Sequence, residues 1–97
     1  MIEVLITQGA EDDYADSLRW YAERSQRAAV GFETEFERAL DSITADPDRY
    51  PFCDEEHQFY LMSRYPFQVI FRKASGNRLL IVAVAHASRR PGYWTER

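Results

Sequence analysis

The sequence predicts an α+β domain in two layers, with the element order β-α-α-β-β-β and a helical hairpin packed on an antiparallel sheet. Three observations lead to this prediction. Apolar residues recur at helical spacing over residues 10–45, the period changes to that of strands after residue 56, and an apolar run near the carboxyl terminus has the character of a central strand. With 97 residues, 45% of them apolar, the chain is predicted to form a single domain over residues 1–97.

A short strand and a helix open the chain. The strand is predicted over residues 2–6, and Thr7-Gln8-Gly9 interrupts it. The three acids Glu11–Asp13 suit a helix start because they complement its partial positive charge. Trp20 lies about 120° from the apolar stripe of this helix, so it either packs on a neighbouring element, which we expect, or remains as a contact surface. The stripe consists of Ala10, Tyr14, Leu18, Tyr21 and Ser25.

The second helix has the clearer pattern. Glu33, Glu37 and Asp41 form an acidic ridge on one face, which we expect to be solvated. Ser25 is predicted to cap the helix, and Asp46-Pro47 ends it because proline disfavours helical geometry at the preceding residue. The opposite, apolar face carries Ala28, Ala29, Phe32, Phe36, Ala39, Leu40 and Ile43.

Strands follow a loop that contains two prolines. The second of them carries Phe67, Val69 and Phe71 at period two, and the third is apolar on both faces, as expected of a central strand. The loop spans residues 46–56, the strands span 57–63, 66–73 and 79–85, and a hairpin turn lies at 74–77.

Composition excludes several classes of protein. No stretch approaches 18 consecutive apolar residues, and Glu3 stands where a signal peptide needs basic residues, so a cytoplasmic protein is expected. Cys53 is the only cysteine, which rules out an internal disulfide and a zinc site built on cysteines. We expect Cys53 to be an inert thiol rather than a nucleophile. No metal and no cofactor is expected.

The charge is unevenly distributed along the chain. Residues 1–56 carry fifteen acidic and five basic side chains, whereas residues 57–97 carry one acidic and seven basic, so the two parts have net charges of −10 and +6. Either the two parts neutralise each other internally, or the basic part forms a face for an anionic partner.

A concentrated set of polar and aromatic side chains follows the last strand: His86, Arg89, Arg90, Tyr93 and Trp94. Residues that leave a central strand emerge at the edge of the sheet, where function is often found. Arginine forks match phosphate oxygens, aromatic rings stack on bases, and His86 or Tyr93 could take part in general acid–base transfer. In the structural alternative, the rings cap the core and the arginines pair with acidic side chains of the helices.

These elements together resemble the RelE/ParE superfamily of toxins from type II toxin–antitoxin systems. The resemblance spans about residues 2–97. It is carried by the two helices, by Arg64-Tyr65-Pro66-Phe67-Gln68-Val69-Ile70-Phe71-Arg72, by the strand that ends in His86, and by Arg89-Arg90-Pro91-Gly92-Tyr93-Trp94. The closing order of His, Arg, Pro and Trp is most similar to the ParE-like branch.

The resemblance implies alternative functions. ParE-like members poison DNA gyrase by protein contact, and RelE-like members cut messenger RNA on the ribosome without a metal. RelE-type enzymes carry lysine or arginine along the strand that corresponds to residues 57–63, and this strand has neither. The pI of about 5.1 also fits poorly with docking on ribosomal RNA.

The chain is therefore predicted to be a ParE-like toxin of a plasmid-stabilising module that inhibits gyrase. A ribosome-dependent endonuclease is the alternative, and a superfamily domain with weak toxicity or another target is the third.

The resemblance also assigns residues and partners. The working set of a nuclease would be His86, Arg89, Arg90 and Tyr93. We expect the segment after the last strand to project from the sheet as a docking surface. Acidic and apolar residues of a cognate antitoxin are expected to cover part of the sheet and the groove of the helical hairpin, in a hetero-oligomer. The predicted target-binding residues are Arg64, Arg72, Arg89, Arg90, Tyr93, Trp94 and Arg97.

Overall fold

A four-stranded sheet with two helices packed against it makes up the computed structural model, which describes residues 1–97. The predicted fold class and element order are confirmed. Neither helix combines the length and the hydropathy that crossing a membrane would require. The elements are β1 (Glu3–Ile6), α1 (Gln8–Arg24), α2 (Gln26–Ala45), β2 (Gln58–Leu61), β3 (Phe67–Ala74) and β4 (Arg78–His86), with 3-10 turns at Pro47–Arg49 and Tyr93–Glu96.

The strand order across the sheet is β1-β4-β3-β2. The three later strands form the expected antiparallel meander, and β4 is central as predicted. β1 joins the sheet parallel to β4, so the sheet is mixed rather than wholly antiparallel. The helical hairpin and the loop after it return the chain to the end of the sheet where β1 starts. Two strand reversals later, β4 therefore runs in the direction of β1.

Short polar side chains set the helix boundaries. Thr7 has extended backbone geometry and its Oγ1 accepts a hydrogen bond from the N–H of Ala10 at 3.2 Å, so α1 begins two residues earlier than expected. Ser25, with φ of −161°, separates the helices, and its Oγ accepts from the N–H of Ala28 at 3.2 Å. The predicted cap at Ser25 is confirmed, and α2 ends at Ala45, before Asp46-Pro47.

Apolar side chains pack on both faces of the sheet. The larger cluster lies between the sheet and the helices, where Phe32 is fully buried with ring centroids 5.5 Å from Tyr14 and 5.1 Å from Phe67. A smaller cluster on the other face consists of Ile70, Val82, Ala83, Ala85 and Trp94. Since Trp94 comes from the segment after β4, the chain end covers part of this second face.

The turn between β2 and β3 is fastened to the helices. Arg64 has the left-handed φ of 71°, which turns the chain, and its side chain is exposed. The hydroxyl of Tyr65 donates to the carbonyl of Ala28 at 2.8 Å, and its ring lies edge-on to Tyr21. Gly31 permits this approach because a Cβ there would collide with the Tyr65 hydroxyl.

Candidate functional site

One buried carboxylate gathers three side chains from the segment after β4. Asp13 of α1 is only 6% exposed. Arg97 binds it with both terminal nitrogens, at 2.8 and 3.1 Å, and the hydroxyl of Tyr93 donates to it at 2.9 Å. Arg89 adds a longer contact of 3.4 Å. We call these four residues the Asp13 clasp.

The clasp also completes an edge of the sheet. β1 covers β4 only as far as Ile81, which is the partner of Ile6. Beyond that point, the N–H of Val84 donates to Asp13 at 3.1 Å, and the carbonyl of Val82 accepts from Arg97 at 3.0 Å. Side chains therefore satisfy backbone groups that a longer β1 would otherwise have paired.

The hydrogen bonds of the clasp favour the ionised form of Asp13. Burial disfavours the ionised form of Asp13, but hydrogen bonds from Arg97, the Val84 N–H and Tyr93 outweigh this and hold its pKa below the ordinary value. Burial and the hydrogen bond to Asp13 raise the pKa of Tyr93. The same carboxylate raises the pKa of Arg97. The phenol is thus a poor proton donor in this setting.

The expectation that the chain end projects as a docking surface is wrong for Tyr93, Trp94 and Arg97. Tyr93 and Arg97 are bound to Asp13, as described above. Trp94 is 7% exposed, packs on the second face of the sheet, and donates from Nε1 to Asp54 at 3.4 Å. The physical reason is that Tyr93 and Arg97 hydrogen-bond to a buried carboxylate that needs donors. Trp94 gains by burying its ring on an apolar face of the sheet that would otherwise be exposed to water.

Arg89 and Arg90, although adjacent, have different environments. The Arg89 guanidinium lies 3.8 Å from the centre of the Tyr93 ring, with 51% of its side chain exposed. Arg90 is exposed, and its side chain makes no hydrogen bond or ion pair within the chain. Arg90 is therefore the freer of the two cations.

Arg64 and Arg72, the other predicted cations, are not brought together. Arg64 lies in the turn before β3, at the end of the sheet where β4 finishes, because Phe67 pairs with His86. Arg72 lies near the far end of β3, opposite Leu80, and is half-buried. The predicted target-binding set is thus distributed over separate surfaces.

The tautomer of His86 follows from its neighbour Ser88. The Nδ1 atom of His86 accepts from the backbone N–H of Ser88 at 3.0 Å and lies 2.7 Å from its hydroxyl oxygen. A backbone N–H can only donate, so in the neutral ring the proton resides on Nε2. The ring stands edge-on to Phe67, with centroids 5.0 Å apart. Neutral His86 therefore offers a hydrogen-bond donor at Nε2 rather than a base.

An open groove of about 580 Å³ lies beside His86. Trp20 is 51% exposed in its wall, so the expected packing of Trp20 on a neighbouring element is wrong, and it remains as a contact surface. Its ring lies edge-on to Tyr21, with centroids 5.1 Å apart, and the Arg24 guanidinium lies 3.9 Å from the ring centre. We call this the Trp20–His86 groove; its lining residues are Asp16, Ser17, Trp20, Tyr21, Pro66, Phe67, His86 and Ser88.

Sequence reasoning missed two organising carboxylates. Asp13 was expected only as a helix-start acid, and Asp54 only as a loop residue. Asp54 accepts from the N–H groups of Glu56 and His57 at 2.9 and 2.8 Å and from the His57 ring at 2.9 Å. Burial opposes its ionisation, but these bonds prevail and lower the pKa of Asp54 to about 2. An Asp with backbone donors two and three residues later is a capping signal that could have identified this turn.

No cluster of His, Cys, Asp and Glu side chains has three members close enough to hold a metal ion. Cys53 is exposed, and its Sγ lies 3.5 Å from the carbonyl of His57. Partial burial of the thiol and the nearby Asp54 charge raise the pKa of Cys53. This direction is the opposite of the one that activates a nucleophilic thiol.

Comparison with known proteins identifies the family. Residues 4–91 match the family model described as the ParE toxin of the type II toxin–antitoxin system parDE. The chain belongs to this family. The match of this ParE-type toxin ends before Tyr93 and Arg97, so two of the four clasp residues lie beyond it.

A solved structure supports the fold of this ParE-type toxin. A chain of the chromosomal ParDE toxin–antitoxin system from P. aeruginosa superimposes with a TM-score of 0.77 at 15% sequence identity. The alignment covers 91% of this chain and 98% of that one. No curated protein sequence matches this ParE-type toxin significantly.

Proposed function

We propose that this ParE-type toxin inhibits DNA gyrase by protein contact and is neutralised by a cognate antitoxin. Membership in the family supports a toxin of a toxin–antitoxin system. The choice of gyrase rests on the resemblance to the ParE-like branch and on the chemistry of the residues after β4.

The observation that carries the proposal is that three of the four side chains a nuclease would need already have partners within the chain. Tyr93 and Arg89 lie against Asp13, whereas His86 lies in the groove with its Nδ1 bound to Ser88. Metal-independent RNA cleavage needs a base, an acid and a cation around one phosphate. With Tyr93 and Arg89 bound to Asp13 and Nδ1 of His86 bound to Ser88, these side chains are poorly placed to serve as that base, acid and cation.

The composition of β2, the strand that would hold RNA in a nuclease, also argues against the endonuclease alternative. β2 reads Gln58-Phe59-Tyr60-Leu61, with no cation, and Gln58 is buried with its amide nitrogen donating to the carbonyls of Pro47 and Tyr50. Phosphate contacts provide most of the affinity for nucleic acid, so this strand offers little to a messenger RNA.

The test separates the two targets directly. The purified protein is added to a supercoiling reaction with DNA gyrase and, separately, to translating ribosomes. We expect loss of supercoiling with stalled cleavage complexes, and intact message on the ribosome. Message truncated within the ribosomal A site, together with normal supercoiling, would replace gyrase inhibition with the endonuclease alternative.

A matched pair of variants tests the surface. Arg90→Ala removes the unpaired cation and is expected to weaken gyrase inhibition by about tenfold or more, as at an interface hot spot. Arg78→Ala, at the opposite end of β4, removes an exposed arginine bound only to Ser75 and is the control. Equal inhibition by both variants would place the gyrase contact away from Arg90.

A further inference from the structure

Part of the positive charge of residues 57–97 has no partner within the chain. Arg64 and Arg90 are exposed, and their side chains make no hydrogen bond or ion pair. Residues 57–95 contain no acidic side chain that could neutralise them. Internal neutralisation, one of the two alternatives that the sequence left open, is therefore incomplete. The cations of this part that do pair with carboxylates are Lys73, Arg89 and Arg97.

A third unpaired arginine lies on the helical layer at the same end of the molecule. Arg27 is exposed and has no partner, and the first turn of α2, to which it belongs, contains no acidic side chain. The hydroxyl of Tyr65 donates to the carbonyl of Ala28 at 2.8 Å. Because Tyr65 directly follows Arg64, this bond holds the turn that carries Arg64 beside the start of α2.

The same turn is also bonded to the segment after β4. The N–H of Ala87 donates to the carbonyl of Pro66 at 2.8 Å. Pro66 is two residues after Arg64, and Ala87 is three residues before Arg90. Three separate segments of the chain therefore present unpaired guanidiniums around one turn. We call Arg27, Arg64 and Arg90 the basic end.

Most acidic side chains of α2 are remote from the basic end. The helix rises about 1.5 Å per residue, so its acidic ridge begins with Glu33 about 9 Å from Arg27 and ends with Asp41 about 21 Å away. Asp16 and Glu23 on α1 are each already paired with an arginine of the same helix. The Debye length at 0.1 M salt is about 10 Å, so the distant acids are largely screened. The net charge of −4 therefore does not describe this end of the protein.

The chemistry of the basic end favours a partner with closely spaced anionic acceptors. Guanidinium groups only donate hydrogen bonds, and their forks match phosphate oxygens. Duplex DNA carries one charge per about 1.7 Å of its axis, so it offers an acceptor near each guanidinium without requiring a particular spacing. A protein partner would need three carboxylates placed to fit three separate segments. Duplex DNA is therefore the better match.

We propose that the basic end binds the phosphate backbone of duplex DNA. The inference rests on the proposed function, because gyrase is an enzyme that holds duplex DNA beside its own surface. It adds a nucleic-acid contact to the protein contact proposed above and assigns that contact to three arginines. Phosphates carry no sequence information, so binding is expected to be independent of base sequence.

The test measures binding of the purified protein to a short, labelled DNA duplex by fluorescence anisotropy, without gyrase, between about 50 and 200 mM salt. Three phosphate contacts predict a slope of about −2.7 for log K against log salt concentration. Arg27→Ala, Arg64→Ala and Arg90→Ala are each expected to weaken binding by about fivefold to tenfold at about 0.1 M salt. Each should also reduce the slope by about one.

Two further variants separate a phosphate contact from other effects of the substitutions. Arg64→Lys retains the charge and should keep most of the affinity and the slope. Arg78→Ala removes an equal charge from the opposite end of β4, where the side chain is bound only to Ser75, and should bind within about twofold of the unmodified chain. Thermal unfolding of every variant checks that the fold is retained.

The outcomes separate the two proposals. If the unmodified chain leaves gyrase supercoiling intact, the proposed function fails, whatever the duplex binding. If it inhibits gyrase but binds the duplex with no salt dependence, or if Arg78→Ala weakens binding as much as the other three variants, only the inference fails. Tighter binding to single-stranded RNA of equal length, or loss of gyrase inhibition in the three variants with unchanged duplex binding, assigns the basic end to another partner and also overturns it.

Discussion

The Asp13 clasp and the Trp20–His86 groove both join α1 to the carboxyl-terminal end of β4, but they use similar residues in opposite ways. In the clasp, the carboxylate is 6% exposed and receives donors from Val84, Tyr93 and Arg97. In the groove, Asp16, three residues further along the same helix, is exposed and pairs only with Arg19. The helix thus points one acid into the protein and the next into solvent.

The two tryptophans repeat this contrast. Trp94 packs against Ile70, Val82 and Ala85, and its N–H has an acceptor in Asp54. Trp20 does not belong to the core, and half of its surface is exposed to solvent. Within the cationic chain end, Tyr93 and Arg97 are bound to Asp13 and Trp94 is buried, whereas Arg90 is exposed. Trp20, which looked structural, remains available for contact.

The largest effect is expected from removing the centre of the clasp. Asp13→Ala leaves Arg97 and Tyr93 without their acceptor and the Val84 N–H unpaired, and should lower the free energy of unfolding by about 3–5 kcal/mol. Urea unfolding measures this value. The control is Asp16→Ala, expected to change stability by less than about 0.5 kcal/mol. Similar losses for both variants would mean that the bonds to Asp13 contribute no more to stability than an exposed ion pair does.

Acid should weaken the clasp and the turn held by Asp54. The pKa of Asp13 is lowered in the folded state, and that of Asp54 is lowered to about 2. A lowered pKa stabilises the fold above the ordinary carboxyl pKa of 3.8, and this contribution is lost as the pH falls towards the folded-state value. Stability should therefore decline from about pH 4 towards about pH 2.

Unfolding midpoints in urea, measured across this range, test the pH prediction. Asp13→Asn cannot ionise, so its stability should vary less with pH than that of the unmodified chain. Asp16→Asn should retain the original dependence, because Asp16 is an exposed acid on the same helix. A steep decline that persists in Asp13→Asn combined with Asp54→Asn would locate the acid sensitivity elsewhere.

Gly9 provides a smaller and more specific test. Alanine in a helix is normally more stable than glycine by up to about 1 kcal/mol. A Cβ on Gly9 would lie 2.6 Å from Nε of Arg97, so Gly9→Ala should instead destabilise the fold by about 1–2 kcal/mol. In an Arg97→Ala background, the same substitution should become neutral or stabilising. A stabilising Gly9→Ala in the unmodified chain would show that Arg97 can leave the clasp at little cost.

The smallest effect is expected in the groove. Trp20→Ala should change the free energy of unfolding by less than about 0.5 kcal/mol, because no core packing is lost. Fluorescence offers a parallel measurement. Acrylamide should quench Trp20 emission in Trp94→Phe more strongly than Trp94 emission in Trp20→Phe. Equal quenching would mean that Trp20 is covered in solution and that the groove is not open.

The elements of the fold were largely predictable because their signals are local. The Ser25 cap, the helix end before Pro47 and the apolar strand of β4 depend on neighbours within a few residues, and each was found where the sequence predicted it. The parallel pairing of β1 with β4 was not predicted. That pairing depends on where the helical hairpin and the loop after it bring the chain back to the sheet. No short window of sequence carries this information.

The candidate site was less predictable, and for a related reason. The sequence predicted that the chain end projects and that Trp20 packs, whereas in the structure Trp94 is buried and Trp20 is half exposed. Tyr93 and Arg97 are bound to Asp13. Asp13 is 76, 80 and 84 residues away from Arg89, Tyr93 and Arg97. No periodicity or spacing links positions that far apart.

By itself, then, the sequence determined which segments form helices and strands and where α2 begins and ends, since capping, proline geometry and apolar period act between near neighbours. Only the tertiary structure decided which charges neutralise one another and which aromatic ring faces solvent. A buried carboxylate must find its donors wherever the fold places them, and here they come from the opposite end of the chain.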